Sequence, residues 1–318
     1  MLKKKHLYFP LIAFWLTLLT TIPCRAAFVD FGSGARPIGF GGAFTAIAND
    51  ANALHYNSAG LVKSKTIQLH ATRISHLGAL VNYDFLAVIL PISRIGTVGI
   101  STDSLGDNED IYQERQIRLA YAKSLGKKVS FGISLKNFRT SYDTEIESVK
   151  DNPYFSVYQT NSFSADLGFL VLPISGLQIG LAVDNLIPAN VSVATGDTDR
   201  VPANIRLGIA YALNSIAATI QQESLQNIFK SAHGSAEVGW RNGATIIKSG
   251  VEIWINPTIA LRGGYSFYTS QTGVFSIGNS LRLPLGATQL QLDYAYQLFL
   301  NDLADNGNSQ IFSLGISF

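Results

Sequence analysis

Histidines and carboxylates are the side chains of this sequence that could take part in metal binding or acid–base chemistry. His70 and His76 lie six residues apart and would share one face of a strand, but no third ligand accompanies them at metal-binding spacing. His55 lies near Asp50 and Asn57, with no serine or cysteine evidently placed as a nucleophile. The G-x-S-x-G motif of serine hydrolases is absent. The sequence therefore predicts no enzyme activity, no cofactor and no metal site, and hydrogen bonding is the expected role of these histidines.

Residues 1–26 have the organisation of a secretory signal peptide. Lysines at positions 3–5 precede an apolar run over 7–19, and Cys24-Arg25-Ala26 gives a small-x-Ala cleavage pattern. The run is too short for a permanent transmembrane helix. Acylation of Cys24 is the alternative, but Pro23 stands where a lipoprotein signal usually has a small residue.

Cleavage after Ala26 changes the balance of charges in the mature chain. It removes the single cysteine and four basic residues but no acidic residue, so the formal net charge falls from +2 to −2. A chain without thiols suits an oxidising compartment. Since the basic excess belongs to the signal peptide, a nucleic-acid partner has no support.

Alternation of apolar and polar residues is the main structural signal of the mature chain. It is regular over 116–121, 129–136, 204–211 and 289–296, as expected for strands with one apolar face. Hydrophobic residues make up 47% of the chain and charged residues 14%, yet beyond residue 26 no apolar run is long enough for a membrane helix. The apolar faces must therefore line a soluble core or form the exterior of a barrel.

Fourteen strands are predicted, an even number that places both chain ends on one side of a closed barrel. They span 66–76, 82–91, 96–104, 115–124, 129–141, 162–173, 177–186, 202–212, 233–241, 245–255, 259–268, 274–284, 288–298 and 308–318. Short connections mostly alternate with long polar ones, and the acidic stretch from Asp103 to Glu114 is expected in a solvated loop. The connection over 214–229 has apolar residues every three or four positions, which predicts a short amphipathic periplasmic helix.

The last strand carries the most specific signal. Phe312, Leu314, Ile316 and Phe318 alternate with small or polar residues up to the chain terminus. A barrel in lipid needs this pattern, with apolar side chains facing outward and small or polar side chains facing inward. The strand also resembles the Phe-ending terminal strand by which the barrel-assembly machinery of Gram-negative bacteria recognises outer-membrane barrels for insertion. We therefore predict an all-β chain that forms a transmembrane antiparallel β-barrel, with a soluble secreted β-protein as the alternative.

Four charged residues on the late strands are expected to point into the lumen: Glu252, Arg262, Arg282 and Asp293. A turn near Pro257 sets Glu252 opposite Arg262, and a four-residue turn around Gly286 would set Arg282 opposite Asp293. The interior of a barrel of this size needs filling. We predict a charged belt that pairs across the lumen or bonds to a plug, the alternative being four hydrated charges without special coupling.

The segment after the signal peptide has no strand alternation and resembles a known signature. Gly34-Ala35-Arg36, Gly39, Gly41 to Phe44, Asp50-Ala51, Ala53, Asn57 and Ala59 to Leu61 match the N-terminal pattern of the PorV/PorQ family, relatives of FadL fatty-acid channels. Ser58 departs from it, because the family usually has proline there. The resemblance implies that the segment folds back into the barrel as a hatch. Its motif would comprise Gly39, Gly41, Gly42, Asn57, Ala59, Gly60 and Leu61.

The chain is therefore expected to contain a cleaved signal over 1–26, a hatch over 27–62 and a barrel over 63–318 in the outer membrane. Two functional classes follow from the resemblance. One is a passive FadL-like channel for hydrophobic or amphipathic small molecules. The other is a non-transporting partner of a secretion system, as PorV/PorQ relatives are for type IX secretion. Expected partners are outer-membrane lipid, the barrel-assembly machinery, a hydrophobic ligand and a periplasmic or secretion-system protein. An apolar cavity beside the hatch would favour the channel, and a lumen filled by polar contacts would favour the partner.

Overall fold

Fourteen antiparallel strands follow one another around a closed barrel, and the last strand pairs with the first. The computed structural model describes residues 27–76, 80–107, 109, 111–217, 221–269, 273–300 and 307–318. The predicted antiparallel barrel and its number of strands are confirmed within this part of the chain. The signal peptide expected over 1–26 lies outside the described residues.

The strand bounds lie within a few residues of those expected from alternation. They are β1 Gln68–His76, β2 Val81–Ile92, β3 Gly96–Asp107, β4 Tyr112–Leu125, β5 Val129–Tyr142, β6 Gln159–Val171, β7 Leu177–Asp184, β8 Asn204–Ala212, β9 Ala232–Arg241, β10 Ala244–Trp254, β11 Ile259–Tyr268, β12 Val274–Leu285, β13 Thr288–Phe299 and β14 Ser309–Ser317. β3 and β4 are longer than expected, so most of the stretch from Asp103 to Glu114 belongs to the wall rather than to a loop.

Short helices occupy segments between or before the strands. They are α1 Ala35–Gly39, α2 Ala53–Tyr56, α3 Glu147–Lys150, α4 Asn214–Ala217 and α5 Glu223–Lys230, and Ser58–Lys63 is a 3₁₀ helix. Helical structure over 214–229 is confirmed, although the segment forms two helices in place of one. None of the helices that the structure describes is both long and apolar enough to cross a membrane.

The connections distinguish the two ends of the barrel. The connections 143–158 and 185–203 lie at one end, which we call the long-loop end. The last residue, Phe318, and the turns 126–128 and 286–287 lie at the opposite end, which we call the terminal end.

Apolar side chains of the wall point outward and polar ones point inward. Leu135 and Ile277 are 59% and 63% exposed, whereas Arg118, Lys136 and Arg206 are 3%, 3% and 2% exposed. A soluble β-sandwich shows the opposite arrangement, because its apolar faces meet in a dry core. The exterior of this barrel needs lipid as its solvent, so the alternative of a soluble β-protein is wrong.

The final strand, β14, also has its apolar side chains outward, and it closes the barrel. Phe312, Leu314 and Phe318 are 56%, 40% and 54% exposed on the outer surface, and Ile316 lies on the same face. β14 pairs with β13 on one side and with β1 on the other. Recognition of this strand by the barrel-assembly machinery stays a prediction.

The chain before β1, residues 27–66, is called the N-terminal segment, and all of it except the exposed Lys65 and Thr66 lies within the ring of strands. α1 packs against β11 to β14, whereas the 3₁₀ helix Ser58–Lys63 packs against β3 to β6, on the other side of the ring. Phe40, Phe44 and Leu61 are almost completely buried in the apolar core, together with small inward residues of the wall. The segment therefore supplies much of the core of the molecule.

Inward-facing glycines leave room for this segment. We call eight of them the glycine ring: Gly99, Gly132, Gly168, Gly180, Gly208, Gly250, Gly264 and Gly278. A Cβ at Gly250 would overlap the carbonyl group of Phe40, and a Cβ at Gly180 would overlap that of Thr45. The wall thus touches the backbone of the N-terminal segment directly, which a larger side chain would prevent.

Candidate functional site

The N-terminal segment lies between two cavities of the lumen. A cavity of about 600 Å³ lies at the long-loop end and one of about 1000 Å³ lies at the terminal end, and part of each is open to solvent. Asp30 and His55 of the segment line the first cavity, and Arg36 and Asp50 line the second. The inward alternate positions of the strands supply the other walls, because successive side chains of a strand point to opposite faces.

Asp30 is surrounded by polar groups at the floor of the cavity at the long-loop end. Its carboxylate lies 3.0 Å from His55 Nε2, 3.6 Å from Arg206 Nη1 and 3.9 Å from Arg241 Nη1. Asn204 Nδ2 donates to the same carboxylate at 3.2 Å. These contacts tie the start of the N-terminal segment to β8 and β9.

Nearby charges oppose the effect of burial on the pKa values of Asp30 and His55. Burial on its own raises the pKa of Asp30, but the hydrogen bond from His55 and the nearby positive charges hold that pKa well below its usual value. Burial also disfavours the charged form of His55, yet Asp103 and Asp30 outweigh it and raise the pKa of His55 above its usual value. These shifts favour the arrangement in which a protonated His55 donates to an ionised Asp30.

The strand side of the cavity carries buried cations beside carboxylates. Lys136 Nζ lies 2.6 Å from Asp166 Oδ1, and Arg206 Nη2 lies 2.7 Å from Asp184 Oδ2. Arg118 is held less closely, with Nε 3.6 Å from Asp166. Among the described residues, Nε and Nη1 of Arg118 and Nε of Arg206 have no hydrogen-bond acceptor. Both arginines line the cavity, and these donor atoms are themselves buried.

An apolar wall faces these charges. The rings of Phe28 and Phe138 meet edge to face with centroids 4.7 Å apart. Phe138 packs with Val191 and Val201 from the long connection between β7 and β8, and Leu105 also lines the cavity. The cavity is therefore amphipathic, with aromatic and aliphatic groups on one side and ionised groups on the other.

At the terminal end, the charged belt includes a residue of the N-terminal segment. Arg262 Nε lies 2.6 Å from Glu252 Oε2, and Arg262 Nη1 lies 3.3 Å from Asp293 Oδ1. Arg36 donates from Nε and Nη2 to the two oxygens of Glu252, each at 2.9 Å, and from Nη1 to Asp50 at 2.7 Å. A continuous chain of ion pairs thus joins the segment to β10, β11 and β13.

The expected position of Arg282 within this belt is wrong. Arg282 lies opposite Gln291, and Ser280 lies opposite Asp293. The reason is the turn, which has two residues between the paired Leu285 and Thr288 instead of four. Arg282 Nη2 donates to Gln291 at 3.0 Å, and its guanidinium carbon lies 3.9 Å from the ring centre of Trp254.

The seven residues of the resemblance motif lie where the segment is most tightly packed. Gly41 and Gly42 have φ values of 70° and 74°, which favour glycine, and Gly39 packs against Gly278 of β12. The amide of Asn57 donates to Thr45 O at 2.9 Å and to Phe169 O at 3.0 Å, while its oxygen accepts from the backbone N–H of Ala59. Gly60 packs against Ala48, and Leu61 is fully buried.

The remaining histidines make local polar contacts. His70 Nε2 lies 2.9 Å from Thr72 Oγ1, and His76 Nδ1 lies 2.5 Å from Ser309 Oγ. Across the residues that the structure describes, no group of three or more histidine, cysteine or acidic side chains is placed to hold a metal ion.

Several important residues were not singled out from the sequence. Arg36, Asp30, Arg118 and Asp166 are examples, as are the members of the glycine ring. The strand residues gave a usable signal, because polar or glycine residues recur at inward alternate positions. Asp30 gave none, since its segment has no periodicity from which a face can be assigned, and Arg36 was noted only as part of the resemblance signature, without a role.

Comparison with solved structures identifies the architecture. The Ralstonia pickettii toluene transporter TbuX aligns with a TM-score of 0.63 and 13% identity, over 92% of this chain and 98% of that chain. A Pseudomonas aeruginosa FadL homologue aligns with a TM-score of 0.58 and 11% identity, over 93% and 99%. The Pseudomonas putida toluene transporter TodX gives 0.58 and 13%, over 90% and 97%. The chain has the fold of FadL-type channels.

At these identities the likeness concerns the fold alone. No protein-family model matches the chain, and no curated protein matches it. The resemblance to the PorV/PorQ signature therefore remains a hypothesis, although the relation of that family to FadL-type barrels agrees with the fold.

Proposed function

We propose that this protein is an outer-membrane channel for the passive uptake of small amphipathic molecules. The observation that carries the proposal is the amphipathic cavity at the long-loop end, which lies directly against the N-terminal segment. The fold supports it, because structures with the same architecture are described as toluene transporters. The secretion-partner alternative finds no support among these comparisons.

The two walls of the cavity favour an amphipathic ligand over a purely apolar one. An apolar group would pack against Phe28, Phe138 and Val201. A polar group would accept from Arg118 or Arg206, whose donors are buried and unsatisfied. An apolar ligand would leave those donors without partners, at a cost of about 1–3 kcal/mol for each group.

The N-terminal segment is the barrier to passage and acts as the hatch over residues 27–62. It is in backbone contact with the glycine ring, so a ligand cannot pass at this level while the segment keeps its position. A ligand that replaces the contacts of Asp30 or His55 would weaken the attachment of the segment at the long-loop end. Release would then follow a shift of the segment.

The ends of the barrel give the orientation. Transmembrane barrels of this class have short periplasmic turns and longer outer loops. We therefore assign the connections 143–158 and 185–203 to the exterior and the terminal end, which also carries the helical connection 213–231, to the periplasm. Acidic residues outnumber basic ones in these two loops, which suits contact with water: Asp143, Glu145, Glu147, Asp151, Asp197 and Asp199.

A reversible crosslink between the hatch and the wall tests the proposal. A Cβ at Gly208 would lie 3.3 Å from the Cβ of Ala46, close to the separation in disulfides. In proteoliposomes, the variant Ala46→Cys/Gly208→Cys should take up a fluorescent aromatic carboxylate when reduced. Uptake should fall to the level of empty liposomes when the variant is oxidised and return on reduction.

A matched control crosslinks the wall without the hatch. Leu119 and Leu135 are directly opposite on the outer faces of β4 and β5, so Leu119→Cys/Leu135→Cys should transport equally in both redox states. Equal uptake by the oxidised and reduced hatch variant would reject movement of the segment. Absence of uptake by the unaltered protein for aromatic and aliphatic probes alike would reject the channel.

A further inference from the structure

The outer surface of the barrel carries a row of polar side chains across six neighbouring strands. Each member lies directly opposite the next in the strand register, and we call the set the polar row: Arg73, Asp84, Ser104, Arg115, Arg139 and Asn161. All six belong to the outward alternate positions of β1 to β6. The row is therefore a feature of the surface that faces lipid, not of the lumen.

Below the polar row, toward the terminal end, the same strands become apolar. Four residues further along each strand lies a second continuous row: Leu69, Val88, Ile100, Leu119, Leu135 and Ala165. The change from charged to apolar over so short a distance marks a membrane boundary. On β4 the next outward charge is Lys123, about 27 Å from Arg115 along the strand. At a strand tilt of about 40° this is about 21 Å of membrane thickness, close to the usual apolar band of about 25 Å.

The charges within the polar row are not balanced. Arg73 is compensated by Asp84, with Nη1 3.4 Å from Oδ2. Arg115 and Arg139 lie opposite each other on β4 and β5, and both are exposed. Neither forms an ion pair with another residue that the structure describes; Arg139 Nη2 donates to Gln159 Oε1 at 2.8 Å. Like charges directly opposite on a sheet repel each other, so an anion between them would stabilise the pair.

We propose that Arg115 and Arg139 bind the phosphate of a lipid in the outer leaflet, with its acyl chains on the apolar row. Two guanidinium groups offer the planar paired donors that suit phosphate oxygens. The site lies at the height of lipid head groups and borders directly on the apolar surface. A lipid would contact both, whereas a soluble phosphate would have no contact with the apolar surface. In a Gram-negative outer leaflet the matching chemistry is a phosphorylated glycolipid. The inference rests on the outer-membrane location proposed above, but not on transport.

Lipid retention by the purified protein tests this site. The protein in neutral detergent is mixed with diphosphoryl lipid A or with lipid A stripped of phosphate, and bound lipid is counted by native mass spectrometry. The unaltered protein should retain the phosphorylated form preferentially. Arg115→Gln/Arg139→Gln should retain it about tenfold less, as expected for the loss of charged hydrogen bonds.

The control removes the same charge from the other end of the same surface. Lys123→Gln/Lys127→Gln lies at the terminal end of β4 and should retain lipid A as the unaltered protein does. Both variants should keep the heat-dependent gel migration of a folded barrel. Equal loss in the control, equal retention of phosphate-free lipid A, or full displacement by excess inorganic phosphate would overturn the proposal. Because transport plays no part in the assay, its failure is separable from failure of the channel.

Discussion

Arg262 of β11 has a side chain with no exposed surface and lies between the carboxylates of Glu252 on β10 and Asp293 on β13. Such a cation is stable in a protein interior only while its partners remain, since a buried charge without compensation is costly. Glu252 also accepts from Arg36, so the pairing extends into the N-terminal segment. At this scale, individual ion pairs connect the N-terminal segment to the wall at the terminal end, as those of Asp30 do at the long-loop end.

Replacing Arg262 should therefore destabilise the barrel. Arg262→Leu leaves Asp293 and one side of Glu252 without a cation, and we expect a loss of about 3 kcal/mol or more. The temperature at which the heat-dependent gel shift occurs measures the effect. Arg282→Leu is the control, because Arg282 pairs with Gln291 and Trp254 rather than with a carboxylate, and its effect should be much smaller. Equal melting of the two variants would contradict a special role for the pairs.

The strands could be located from the sequence because each has one face in contact with lipid and one in contact with the lumen. That constraint forces apolar residues onto alternate positions, and alternation is visible in a single sequence. Register is less visible, because it depends on turn length. The alternation around Gly286 does not distinguish a four-residue turn from the two-residue turn observed after Leu285. The shorter turn sets Arg282 opposite Gln291 instead of Asp293. Contacts of the N-terminal segment could not be derived, since its helices are short and lack periodicity.

Two adjacent glycines of β11 allow a test of the glycine ring. Gly264 faces inward, where a Cβ would overlap the backbone of Phe40 and Gly41, whereas Gly263 faces outward into open space. Gly264→Ala should destabilise the packed segment by about 1–3 kcal/mol, as overpacking does in cores. Gly263→Ala should be neutral or slightly stabilising. Protease cleavage within residues 27–66 of the reconstituted protein measures the release of the segment, and equal protection of both variants would argue against close packing.

The molecule as a whole has an apolar exterior, a charged lumen and two chemically different ends. Composition left two places for the apolar surface, a soluble core or the exterior of a barrel, and the structure selects the exterior, because the exposed side chains of the wall are the apolar ones. Composition could not show that the N-terminal segment divides the lumen into two cavities, because this division depends on long-range contacts between the segment and strands far along the chain.

Two glycines at opposite ends of the barrel allow the orientation to be measured. Gly196, in the connection after β7, and Gly126, in the turn after β4, both have φ of 80° and open space around a Cβ position. An epitope tag inserted at 196 should bind antibody on intact cells if the proposed orientation holds, in which this end faces the exterior. A tag at 126 should bind only after the outer membrane is permeabilised. The reverse labelling pattern would contradict the proposed orientation of the barrel.

Pairing of β1 with β14 has a consequence for the order of assembly. The N-terminal segment is made first, yet it lies within a ring that the last strand completes. We expect the seam to shut around a segment already in place, because the folded segment packs against strands on opposite sides of the ring. In this order of assembly, pairing of β14 with β1 is the last step and encloses the N-terminal segment.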